Sequence, residues 1–175
     1  MSKADYQKLL FKVEKKKTSE LTGLTTLASR HSHATVMTEP DSGIEQVIAF
    51  VGPDYELVRN EDILIPLHEA LKDDYKLEIK TSHRNYSQFE ATFTVKDKSL
   101  SIMKGDEIFP QVKIQNSYDG RLRLKIKAGY YRLICSNGLT APVGEEREMD
   151  SIHTASIKEL VDQFVGFIGE FINIS

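Results

Sequence analysis

Hydrophobic and polar positions alternate most strictly between Val112 and Leu139, in VKIQNSYDGRLRLKIKAGYYRLICSNGL. Arg121, Arg123, Lys125 and Lys127 fall on one side of the repeat, and Leu122, Leu124 and Ile126 on the other. A period of two is that of a strand with one wet face. Val112 and Ile114 face inward on the strand before it. Asn116-Ser-Tyr-Asp-Gly120 is the tight turn between them, with Asp119-Gly120 supplying a positive φ. The long return strand, 121–135, bends at Gly129 and ends at the turn Ser136-Asn137-Gly138.

The same period appears upstream. In 76–82, Leu77, Ile79 and Thr81 share one face. In 88–96, Phe89, Ala91, Phe93 and Val95 face inward, and Glu90, Thr92, Thr94 and Lys96 outward. The two make an antiparallel hairpin. Residues 99–110 read as a strand end plus a loop, punctuated by Gly105-Asp-Glu107 and Pro110. IEQVIAFVG (44–52) is another strand, and Tyr55–Asn60 is short and extended.

Helical spacing takes over elsewhere. Tyr6, Leu9, Leu10 and Val13 predict a helix over 3–17. Residues 61–75 carry Ile63, Leu64, Leu67 and Leu71 on one stripe, behind Asn60 as N-cap, although Pro66 would kink the helix or delay its start. The last helix, 156–172, has an apolar face wider than one sheet covers. It is therefore either deeply buried or set against a second copy of the chain. These elements predict an α+β fold: a twisted antiparallel sheet backed by helices, with a helix–three-strand–helix core. Residues 1–33 would form an N-terminal helix and link, and residues 34–175 a single domain.

Charge alters this picture more than composition does. The chain has 175 residues and a formal net charge of −3, which argues against a nucleic-acid binder. The charge is unevenly spread, however. From Lys76 to Arg132, twelve basic residues stand against six acidic ones, while the flanks are acidic, notably Glu145, Glu146, Glu148 and Asp150. A basic middle of this kind suits an anionic partner. Its plain alternative is a sheet face kept soluble by lysine and arginine. The start of the sequence lacks the apolar core of a signal peptide, and Cys135 is the lone cysteine, so the cytoplasm is the expected compartment. No apolar run approaches the ~18 residues of a membrane span.

Candidate chemistry is sparse. No nucleophile elbow, phosphate-binding loop, zincin motif or paired-cysteine signature occurs. On a strand, His31 and His33 would share a face as a metal pair, but no further ligand accompanies them. Cys135, at the end of an apolar strand, reads as a buried structural thiol. Asp106, Glu107 and Asp119 would serve a small metal-dependent nuclease, yet all three also fit ordinary turns. The basic stripe is the more specific signal. Four cations at alternate positions span about 20 Å, a length that can follow a phosphate backbone without reading bases. Lys113 widens the stripe, and Tyr118, Tyr130 and Tyr131 offer stacking surfaces. No recognition helix is evident, so a single strand fits better than a duplex.

Asn116-Ser-Tyr-Asp-Gly120, Arg132-Leu-Ile-Cys-Ser-Asn-Gly-Leu139 and Tyr55-Glu-Leu-Val-Arg-Asn60 resemble the blocks of domain-of-unknown-function family 932. That family consists of phage- and plasmid-associated proteins. Tyr118 stands where its turn block usually has His. His153-Thr154 before a helix is similar to the next block, and the resemblance spans about residues 55–165. It implies a mobile-element origin in a bacterial host cell without implying a reaction. The order of elements is also similar to that of recombination annealases, which form rings and lay single-stranded DNA on a basic sheet. By analogy of fold alone, the expected function is a non-enzymatic, cofactor-free single-stranded DNA binding and annealing protein. Arg121, Arg123, Lys125, Lys127 and Lys113 would hold phosphates, and the C-terminal helix would join copies into an oligomer. The alternative is a phage-encoded interaction protein that inhibits a host defence system.

Overall fold

Strand pairing dominates the architecture, and it runs through two antiparallel sheets. The computed structural model describes residues 9–22, 29–71, 75–80, 86–95, 98–103, 106–134 and 139–151, together with positions 159, 162, 163, 165, 166 and 168. The first sheet contains β1 (Val13–Lys17), β2 (His33–Thr38) and β3 (Glu45–Val51), with β2 in the middle. The second contains β4 (Tyr75–Lys80), β5 (Gln88–Val95), β7 (Asp106–Ser117), β8 (Leu124–Leu133) and β9 (Thr140–Ser151) in the order β4-β5-β7-β8-β9. A short β6 (Leu100–Met103) pairs with the start of β7. Helix α1 is Thr18–Thr22 and helix α2 is Asn60–Leu71.

One core holds the larger sheet. Ile63, Leu64, Leu67 and Leu71 of α2 lie on one stripe and are buried against Phe89, Ala91, Phe93 and Val95 of β5. Val112 and Ile114 of β7 and Leu124, Ile126 and Ala128 of β8 extend the same layer. Leu9, Val58 and Ile168 close it. The helix starts with a reach-back: the Asp62 Oδ2 accepts the Arg59 N–H at 3.2 Å, satisfying a donor the first turn leaves open. Pro66 lies inside α2 without ending it, because it removes a single backbone donor while the apolar stripe continues to Leu71.

Several expectations need correction. The fold is not α+β with a helix–three-strand–helix core. Among the described residues strands take 53% and helices 21%, in two antiparallel sheets, so the protein is mostly β. Residues 13–17, expected to be helical, form β1. Val13 is buried, and the strand docks on β2 from Val13↔Met37 to Lys17↔His33. A ready partner strand outweighs the weak helical pattern of so short a segment. Tyr75, expected to close the 61–75 helix, begins β4. Residues 106–110, expected to be a loop, belong to β7, with Pro110 opposite Tyr130. The acidic stretch after Pro142 is β9. Positions 159, 162, 163, 165, 166 and 168 are helical, and Ile168 is buried in the core.

Candidate nucleic-acid interface

The outer face of the larger sheet is a grid set by register. Thr92, Lys113, Lys127 and Glu148 lie side by side across β5, β7, β8 and β9. Glu90, Gln115, Lys125 and Asp150 form the next row. The alternation expected over 121–127 therefore holds within β8, where Leu124 and Ile126 are buried and Lys125 and Lys127 face out. It does not hold for the arginines. Arg121 and Arg123 precede β8, on the bend that leads into it, and are exposed there. They continue the line of lysines from a turn, not from a strand.

Acidic residues of β9 interleave with the cations. The Glu148 carboxylate bridges Lys125 at 2.6 Å and Lys127 at 2.7 Å. Arg123 reaches Asp150 at 3.4 Å, and Arg121 reaches Asp119 at 3.9 Å. The Lys125 and Lys127 ammonium groups hold the Glu148 carboxyl below the usual carboxylate range. Glu148 in turn pushes Lys127 above the ordinary lysine value. The Lys113 ammonium lies 3.6 Å from the centre of the Tyr131 ring, a cation–π contact, and 3.3 Å from Thr140 Oγ1. Tyr131 donates to Glu146, and burial followed by that hydrogen bond raises its phenol well above the usual range. A concavity of about 320 Å³ lies among Lys113, Lys125, Lys127, Tyr131 and Glu146.

The turn blocks are structural. Asn116, Ser117 and Tyr118 are buried where the two sheets meet. Tyr118 Oη accepts the Asn60 N–H at 2.9 Å, and the Tyr118 carbonyl accepts Thr35 Oγ1 of β2 at 2.7 Å. Tyr55 donates to the Ser117 carbonyl at 2.9 Å, and Asn116 Nδ2 to the Val58 carbonyl at 3.1 Å. Burial drives the phenols of Tyr118 and Tyr55 far above the ordinary tyrosine value, so both stay neutral. Tyr118 is thus no stacking surface. Gly120 takes φ +70, as the turn sequence requires.

The remaining candidates separate. His31 lies in a 3-10 turn and His33 opens β2, so they do not share a strand face. Asp106 and Glu107 start β7 and Asp119 follows its far end, about 35 Å away at the strand rise. No one ion can take all three. Among the described residues no group of three His, Cys, Asp or Glu could hold a metal. Cys135, His83 and His153 lie outside the described residues. Among those residues no helix is long and apolar enough to cross a membrane.

Sequence reasoning missed the acidic partners. Their signal was present: Glu146, Glu148 and Asp150 alternate with the same period as Lys125 and Lys127 beyond a turn, which is the pattern of a charged hairpin. No curated protein and no solved structure matches the chain. A family model does, over residues 47–173, which takes in the interlocked blocks Tyr55–Asn60 and Asn116–Gly120 as well as the charged β8–β9 pair. The chain belongs to the family this model describes, Domain of unknown function (DUF932).

Proposed function

We propose that this protein binds single-stranded DNA, without catalysis, in the recombination or replication of a mobile element. Lys127, Lys125, Arg123 and Arg121 form the phosphate track, with Lys113 beside it. The carrying observation is the register of β7 and β8, which sets Lys113 directly opposite Lys127 with Lys125 one step along the same face. Opposed like charges cost stability, and a bound phosphate relieves that cost. The surface ion pairs with Glu148 and Asp150 are worth little in water and yield to a polyanion. The support for single-strand binding is the chemistry of this sheet surface, not the order of the elements.

Titrating a labelled oligothymidylate at increasing salt tests this. With about five phosphate contacts, the log–log slope is near −3.5. Replacing Arg121 and Arg123 with Ala makes it shallower by about 1.4. Absence of binding at low salt overturns the proposal.

The interleaved acids favour a second reading, an interaction protein whose mixed-charge face meets a protein of complementary pattern. Exposed Leu133, Ile134 and Leu139 at the tip of the β8–β9 hairpin add an apolar edge to that face. Loss of partner binding in a Glu148→Lys variant, with no oligonucleotide binding by the wild type, would support it.

A further inference from the structure

A groove of about 600 Å³ runs between β3 and the bend at 119–121, and the phosphate track leads to it. Its volume falls within the range of roughly 300–1,000 Å³ that small-ligand sites occupy. Ile48 and Phe50 form one wall, and Gln88, Asp119 and Arg121 form the other. Phe50 is 51% exposed although it is a large aromatic on a strand. The Asp119 side chain is only 9% exposed. Its oxygens accept Gln88 Nε2 at 2.9 Å and the Arg121 N–H at 3.0 Å. Arg121, at 80% side-chain exposure, is open to solvent, with its Nε 3.9 Å from the Asp119 carboxylate.

An exposed ring and an exposed guanidinium in the lining of one groove suit a nucleotide: the base stacks on the ring and the phosphate meets the arginine. We infer that the groove between the sheets takes one base of a bound single strand, stacked on Phe50, with Arg121 holding the adjoining phosphate at the end of the track. This rests on the single-strand reading above and adds a base-binding end to it. The site reads no sequence, because every base has a stacking face.

The chain contains no tryptophan, so Phe50→Trp creates a lone tryptophan at the site, which red-edge excitation selects over the tyrosines. A normal oligothymidylate should quench its emission, and an abasic oligonucleotide of equal length should not. Phe50→Ala should weaken binding by about ten-fold with the salt slope unchanged, since no phosphate contact is lost. Phe50→Leu, which keeps the apolar surface without the ring, should weaken it similarly and guards against a folding defect in the alanine variant. Wild-type binding that persists in both variants, with tryptophan emission indifferent to bases, overturns the stacking site and leaves the single-strand reading standing. If the wild type binds no oligonucleotide, both fall.

Discussion

Tyr118 is the residue on which most of the buried polar network converges. Its hydroxyl accepts the Asn60 N–H, its own N–H donates to the Ser87 carbonyl at 2.7 Å, and its carbonyl accepts Thr35. Tyr118→Phe keeps the ring and removes the one acceptor of a buried amide at the start of α2. The expected cost is about 1–3 kcal/mol in urea unfolding, and an unchanged midpoint would show that Asn60 finds another partner. Gly120 tests the neighbouring turn. A methyl there meets Tyr55 no closer than 3.6 Å, so packing tolerates it, but φ +70 does not suit alanine. Gly120→Ala should lower stability by about 1–2 kcal/mol through backbone strain alone. The glycine's role was legible in the sequence because turn chemistry is local. The burial of Tyr118 was not, because its partners at Thr35 and Asn60 are 83 and 58 residues away.

At the scale of elements, β8 and β9 form a charged clasp whose strength depends on pH. Glu148 titrates below its ordinary range in the folded chain. Its contribution is therefore present above the ordinary carboxylate value and lost as pH falls through the depressed one. The same protonation unmasks Lys125 and Lys127. Oligonucleotide affinity should rise as pH drops through that window, measured at constant ionic strength. Glu148→Gln should reproduce the gain at neutral pH, about 2–5-fold, the scale of one surface ion pair. An unchanged or weaker affinity in Glu148→Gln would remove Lys125 and Lys127 from the binding track. β9 was hidden in the sequence for a physical reason. It is an edge strand containing Pro142 and Gly144, with charged residues on its wet face and only Met149 packed on the core, so it lacks the apolar alternation that marked β5. The hairpin β4–β5 was plain because Phe89, Ala91, Phe93 and Val95 all face the core. In β1, three lysines hid a strand. Lys15 donates to the Pro53 and Tyr55 carbonyls and Lys16 pairs with Glu45, contacts that no local pattern announces.

The two sheets of the molecule have no strand in common, yet side chains and backbone tie them together. Thr35 from the centre of the smaller sheet reaches the Tyr118 carbonyl at the end of β7, and both groups are buried. Tyr55, after β3, reaches the Ser117 carbonyl. Lys15 of β1 binds the loop that carries Tyr55. The base-binding groove proposed above lies between these sheets, so its shape depends on the same ties. Cutting one tie should therefore loosen the whole molecule, not one sheet. Thr35→Val keeps the side-chain shape and leaves the Tyr118 carbonyl without that donor, at an expected cost of about 1–3 kcal/mol. Backbone circular dichroism reports all nine described strands, and near-ultraviolet dichroism reports the tyrosines, of which Tyr55 and Tyr118 sit at the junction. In wild type and variant alike the two signals should trace one coincident transition, shifted to lower denaturant in Thr35→Val. Separate transitions would mean that the sheets fold as independent units. The groove could not then be a fixed site, and stacking at Phe50 would have to form on binding, with quenching of Phe50→Trp emission lagging behind phosphate capture.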